Sequence, residues 1–151
     1  VIGVAPNGIY GKNHRWLSQS RTFIPALLER FFLARGSDTP ITVWGDGTPK
    51  RELTYSVDMA GAIMWALKNY NDPQFLNIGS TEEKSISEIA YLICDKFDID
   101  RSRIVFDQKR PSGVSRKSVD TAKFSSLSDC SFRSLDEGLD EVTRWMLETL
   151  H

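Results

Sequence analysis

Few side chains in this 151-residue sequence could make or break bonds. The histidines are His14 and His151, so a nucleophile–His pair would have to draw on His14. Tyr91, Tyr10 and Tyr55 are followed four residues on by Asp95, His14 and Met59, so no Tyr-x-x-x-Lys pair is available to reduce a carbonyl. Gly3, Gly8 and Gly11 have the wrong spacing for a dinucleotide fingerprint, and no P-loop or metal-ligand motif is present. What remains is chemistry of holding rather than of reacting. Trp44 ends a β run where it meets the turn Gly45-Asp46-Gly47-Thr48-Pro49, and can offer a ring face to a ligand. Arg51 follows that turn and Arg30 lies late in a helix; either guanidinium can grip a phosphate with two parallel hydrogen bonds.

The elements that must position these groups alternate between helix and strand, which predicts an α/β class. Residues 1–5 read as a strand and 6–21 as a loop. Phe23, Leu27 and Phe31, with Ile24, Leu28 and Phe32, recur at i, i+4 and predict a helix over 22–35, with Thr22 as N-cap and Gly36 as its close. Residues 41–44 and 51–55 flank the glycine turn and predict a hairpin. A broadly apolar helix over 57–69 is expected to be well buried. Short strands follow at 75–78 and 103–107, with a loop at 108–118 and a short helix at 121–127. Ser85-Ile86-Ser87-Glu88 and Ser134-Leu135-Asp136-Glu137 are capping boxes that open two further helices.

Composition narrows the class. Apolar residues make up 40% of the chain and the net charge is −1, which excludes disorder as the main state. No apolar run spans a membrane. Two cysteines are too few for a disulfide framework, so an intracellular, cytoplasmic chain is expected. Positive charge is clustered, with Lys109, Arg110, Arg116 and Lys117 in 108–118 against no acid. Such clusters attract anions locally. Nucleic acid is a poor fit, because the aromatic residues sit mostly at helical core spacing rather than beside the basic ones. The opening Val1-Ile2-Gly3-Val4 reads as a strand entered in mid-course, so the chain is expected to be a piece of a longer one.

Three segments carry a family resemblance: Ile24-Pro25-Ala26-Leu27-Leu28-Glu29-Arg30-Phe31, Val43-Trp44-Gly45-Asp46-Gly47-Thr48-Pro49-Lys50-Arg51-Glu52 and Asp58-Met59-Ala60. Asn77-Ile78-Gly79, the helix start at 85–90 and the stretch from Val105-Phe106-Asp107 to Arg116-Lys117 continue it in order. They resemble the C-terminal half of GDP-L-fucose synthases, extended short-chain dehydrogenase/reductases that act on GDP-4-keto-6-deoxymannose. The resemblance implies a small α/β substrate-binding domain at 12–151, preceded at 1–11 by the end of an NAD(P)-binding Rossmann half whose remainder, with the catalytic Tyr and Lys, is missing. It implies NADP or NAD in the full-length protein, none bound by this piece alone, and a homodimer when whole. Arg30, Trp44 and Arg51 match residues that contact the GDP-sugar; Ser112 and Lys117 match the loop that closes over the nucleotide. Asn7, Gly8 and Ile9 match the cofactor's edge.

Two departures bear on chemistry. Thr22 stands where the family has an acid/base His, and a threonine hydroxyl does not titrate near neutral pH. Ser112 stands where the family has an acid. The resemblance therefore implies a reductase-type scaffold, leaving epimerisation, sugar and base open. The piece alone is expected to be inactive. The alternative is a non-catalytic nucleotide-sugar-binding or interaction module that kept the scaffold.

Overall fold

The computed structural model describes residues 1–17 and 22–150; the stretch 18–21 of the expected first loop, and His151, lie outside the described residues. The α/β class is as expected. Strand β1 (Val4–Pro6) pairs in parallel with β5 (Leu76–Ile78). Strand β2 (Gly8–Tyr10) pairs in parallel with β4 (Lys50–Tyr55), which also takes β6 (Glu83–Ser85) antiparallel and β8 (Arg116–Lys117) parallel. Strand β3 (Ile41–Trp44) pairs in parallel with β7 (Ile104–Asp107). Strands β2, β6 and β8 lie where loop, or nothing regular, was expected. At two or three residues each they are too short to show a period of two.

The expected hairpin is absent. Strands β3 and β4 flank one turn but join different sheets. The turn is engaged elsewhere: Gly47 and Pro49 carbonyls accept, at 2.9 Å each, from the Ser87 and Ile86 N–H groups. These N–H groups open helix α3 (Ile86–Phe97) and would otherwise lack partners. Ile41 and Val43 meanwhile turn inward, and β4 is buried continuously from Glu52 to Tyr55 because strands flank it on both sides.

Helix α1 (Phe23–Ala34) buries Ile24, Leu27, Leu28, Phe31 and Phe32, as its spacing requires, and Pro25 is tolerated in the first turn. Thr22 is the N-cap residue, but its side chain makes no cap hydrogen bond. The helix closes at Arg35 in an ordinary helical conformation rather than through Gly36. Helix α2 (Ser56–Asn69) departs further from expectation. Met59, Ala62 and Ala66 are buried, whereas Val57, Met64 and Leu67 are 60, 51 and 62% exposed. Apolar composition signals that a face needs cover; the described residues cover only one.

Two cores result. The larger joins α1, α3, β3 and the last long helix, α5 (Leu135–Thr149). The smaller packs α2 and β5 against Phe124 of α4 (Ala122–Leu127), with Ile2 and Val4 beside them. Helices α3 and α5 begin in complete capping boxes at Ser85 and Ser134. The Ser85 and Ser134 backbone N–H groups donate to Glu88 and Glu137 at 2.7 and 2.8 Å and hold both carboxyls below their ordinary value of 4.5. A depressed native pKa stabilises the fold above the unfolded value and is lost as pH falls through the native one. The urea midpoint is thus expected to be flat near neutral pH and to fall below about pH 4.5. Glu137→Gln should flatten the acid limb, and an unchanged acid limb would remove the caps from the explanation.

Candidate functional site

A cavity of about 480 Å3 opens between α1, the turn after β3, the start of β4 and the loop over 108–115. Its floor is apolar, from Ala26, Leu27, Val43 and Ile86. Arg30, Trp44, Arg51 and Ser112 stand around it. Residues from five separate stretches of sequence therefore meet at one concave surface.

Each wall has a local cause. Helix α1 presents a partly buried Arg30 toward β3, where Nη1 donates to the Thr42 carbonyl. Alternation along β3 turns Val43 inward and leaves Trp44 outward, 53% exposed. The turn that follows needs glycine. Gly45 has φ +84°, and a Cβ there would meet Ser112 Oγ at 2.6 Å and Ser112 Cα at 2.8 Å. Glycine thus lets the 108–115 loop settle on the turn and brings Ser112 to the cavity. Arg51 ties the same loop to β4: its Nη1 donates to the Lys50 carbonyl at 2.7 Å and to the Val114 carbonyl at 3.0 Å.

The two arginines lining the cavity differ from the ion-paired arginines of the surface. Arg101, Arg116 and Arg133 each face a carboxylate, of Asp95, Glu83 and Asp58 respectively. Arg30 and Arg51 form no ion pair among the described residues, and their recorded bonds go to carbonyls. Burial alone pushes the Arg30 pKa down, the signature of a guanidinium stripped of water without an anion in exchange. A third cation, from the basic cluster over 108–118, lies beside them: the Arg110 guanidinium carbon lies 5.3 Å from the Trp44 ring centroid, with that of Arg30 at 6.0 Å. The sequence marks Arg110 only as one of a basic cluster, because the fold makes its contact with Trp44 across distant segments. An exposed indole beside two guanidiniums without an ion pair among the described residues, and a third that faces only Asp107 at 3.9 Å, can hold a planar ring and a polyanion together.

The other sequence candidates lie apart. Lys117 pairs in register with Arg51 on β8, but its side chain is exposed and does not line the cavity. Thr22 sits at the start of α1, also outside the lining. Asn7 is committed internally: its Nδ2 donates to the Ser80 carbonyl at 2.9 Å and its Oδ1 accepts from Thr54 Oγ1 at 2.6 Å. Gly8 packs on Leu53, and a Cβ there would lie 2.9 Å from Leu53 Cδ2. Ile9 is half exposed and lines a small cleft with Gly11, His14 and Pro25. His14 is half buried, with its ring 5.4 Å from that of Trp16. Asn7 thereby ties this segment to Thr54 of β4 and to Ser80. A further cleft, at Asp58, Arg133 and Glu141, is lined by charges that already pair with one another. Among the described residues no group of His, Cys, Asp or Glu could hold a metal, and no helix is long and apolar enough to cross a membrane.

Comparison with known proteins adds to this geometry. Residues 1–79 match the NAD dependent epimerase/dehydratase family. GDP-L-fucose synthase 1 of Arabidopsis thaliana is 32% identical over 151 residues, covering 99% of this chain and 46% of that protein. A GDP-L-fucose synthetase from Naegleria fowleri superposes with a TM-score of 0.91 at 27% identity, over 98% of this chain and 46% of that one. Its NADP-bound form gives 0.89 at 28%, over 97% and 46%. The chain spans about half the length of the relatives it matches.

Proposed function

Since this chain belongs to the NAD dependent epimerase/dehydratase family, we propose that it is the nucleotide-sugar-holding part of an NAD(P)-dependent 4-keto reductase/epimerase of the GDP-L-fucose synthase kind. The observation that carries the reading is the cavity that brings Arg30 and Arg51 to one surface with an exposed Trp44, over which Arg110 also lies, with no carboxylate among the described lining residues. A nucleoside diphosphate supplies what is missing there: an aromatic base for the indole and two phosphates for the guanidiniums. Lys117 stands on the neighbouring strand and would add long-range attraction.

In this reading residues 1–11 end the dinucleotide-binding half and 12–151 hold the substrate. The exposed stripe of α2 and the open edge of the β1–β5 pair would seat the rest of that half. Ile9 would border the nicotinamide, which when bound supplies a hydride to the sugar carbonyl. This chain's own contribution is orientation: fixing the diphosphate fixes where the sugar's reacting carbon lies. The whole enzyme is expected to be a homodimer. Thr22 in place of an imidazole favours a second reading, a binding module without catalysis.

Calorimetry of the chain with GDP-mannose, alongside NADPH absorbance with GDP-4-keto-6-deoxymannose, tests the proposal. Saturable binding without NADPH consumption is expected. Absence of any nucleotide-sugar binding overturns the assignment, and NADPH consumption by this chain alone overturns its expected inactivity. Supplying the dinucleotide-binding half in trans separates the two readings, since only the first restores turnover.

A further inference from the structure

Three walls of the cavity belong to helix α1 and to strands β3 and β4, whose own hydrogen bonds hold them. The fourth, the 108–115 loop, is fixed at its roots: the Gly45 N–H donates to the Asp107 carbonyl at 3.0 Å and the Lys50 N–H to the Ser115 carbonyl at 2.8 Å. Its tip, Pro111, Ser112 and Gly113, is the part that lines the cavity. Charge opposes this closed posture. The loop brings Lys109 and Arg110, and no acid of its own, to a cavity that already holds Arg30 and Arg51. Like charges so placed favour an open loop until an anion enters.

Asp46 meets both needs, a tie and a countercharge. It is exposed on the glycine turn and is not among the residues lining the cavity. Its carboxylate accepts from the Thr48 N–H at 3.0 Å and the Thr48 hydroxyl at 2.8 Å, which fixes it on the turn. The Ser112 hydroxyl reaches the same carboxylate from the loop as a weaker donor. Glycine at position 45 permits that approach, since a Cβ there would meet Ser112 Cα at 2.8 Å. These donors, the Thr48 N–H foremost, hold the carboxyl below its ordinary value of 3.8, so it is charged throughout the neutral range. One carboxylate thus spans two walls of the cavity.

We infer that Asp46 is a positioning residue of the cavity: by accepting the Ser112 hydroxyl across the gap between turn and loop, it docks the 108–115 loop, and Arg110 with it, in the closed posture that grips the ligand. The inference rests on the proposed reading of the cavity as a nucleotide-sugar site. Arg51 ties the same loop and can also touch a phosphate; Asp46 acts only through Ser112. A docked loop presents its donors already in place, so less ordering remains to be done on binding.

Exchanging the two side chains tests this. Ser112→Asp sets a second carboxylate against Asp46 and is expected to weaken GDP-mannose about tenfold by calorimetry and to speed amide hydrogen exchange over 108–115. Asp46→Ser alone should weaken binding about threefold or more. The double variant, Asp46→Ser with Ser112→Asp, restores one hydroxyl facing one carboxylate; affinity within about threefold of the parent and parental exchange in the loop are expected. It keeps the acid beside the diphosphate, so its recovery separates docking from simple repulsion of the ligand. Urea midpoints close to the parent's should accompany all three, because both positions lie at the surface. A double variant that binds no better than Ser112→Asp, or single variants that bind as the parent does, overturns the inference and leaves the nucleotide site standing. A parent that does not bind GDP-mannose overturns the nucleotide reading, and the role of Asp46 with it.

Discussion

Arg51→Met is expected to weaken binding of GDP-mannose by about a hundredfold or more, equivalent to roughly 2.7 kcal/mol. Two losses combine. Hydrogen bonds to a charged partner contribute about 1.5–3 kcal/mol each, and a guanidinium on a diphosphate makes at least one. Arg51 also ties the 108–115 loop to β4 through the Val114 carbonyl, so its removal frees the wall that carries Ser112 and Arg110. Arg51→Lys should recover little, because an ammonium keeps the charge but lacks the planar fork that can hold a carbonyl and a phosphate at once. Thermal stability should change little, since the bonds lost are at the surface. Calorimetry of both variants checks this; affinity within threefold of the parent would show that Arg51 is a loop tether only.

The largest expected stability effect lies away from the cavity. Gly138→Ala in α5 ought to stabilise a helix by about 1 kcal/mol on intrinsic preference. Here the opposite is expected. A Cβ at Gly138 would lie 1.9 Å from the Tyr10 hydroxyl oxygen and 2.8 Å from Cζ. Tyr10 cannot move aside: it is 3% exposed, its ring packs edge-on against Tyr55 at 5.6 Å, and its hydroxyl donates to the Leu135 carbonyl at 3.4 Å. Burial pushes the phenol's pKa upward, consistent with a hydroxyl sealed from water. Forcing atoms into such a site costs typically about 1–3 kcal/mol, and we expect the upper end. Tyr10→Phe removes the colliding oxygen, so the double variant should lose less than the two single changes summed. Urea unfolding of the three variants measures this; a Gly138→Ala protein as stable as the parent would contradict the packing described.

These two predictions show which parts of the molecule its sequence reveals. Helices α3 and α5 were legible from Ser85, Glu88, Ser134 and Glu137 because a capping box closes within four residues. Helix α1 was legible because its buried positions repeat along one element. The β structure was not. Strands β2, β6 and β8 all pair with β4, and nothing within two or three residues announces a partner so distant. The glycine turn at 45–49 was recognisable as a turn, yet its carbonyls cap α3 instead of closing a hairpin. For the cavity, Trp44 and Arg51 stood out by residue type and by their place beside that turn. Grouping them with Arg30 and Ser112 came from the family resemblance, and Arg110 stood out only as one of a basic cluster because only the folded loop carries it over the indole. The close approach of Gly138 to Tyr10 likewise exists only in three dimensions.

The claim at the centre of this account is that one cavity, walled by α1, the turn after β3, β4 and the 108–115 loop, holds a nucleoside diphosphate-sugar. Amide chemical shifts of the 15N-labelled chain, titrated with GDP-mannose, test it most directly. The account predicts saturable shifts at Ala26, Arg30, Gly45, Arg51 and Gly113 and at the Trp44 indole N–H, with α4 and the far end of α2 unmoved. Shifts centred instead on the cleft of Asp58, Arg133 and Glu141, or no saturable shifts at all, would contradict it.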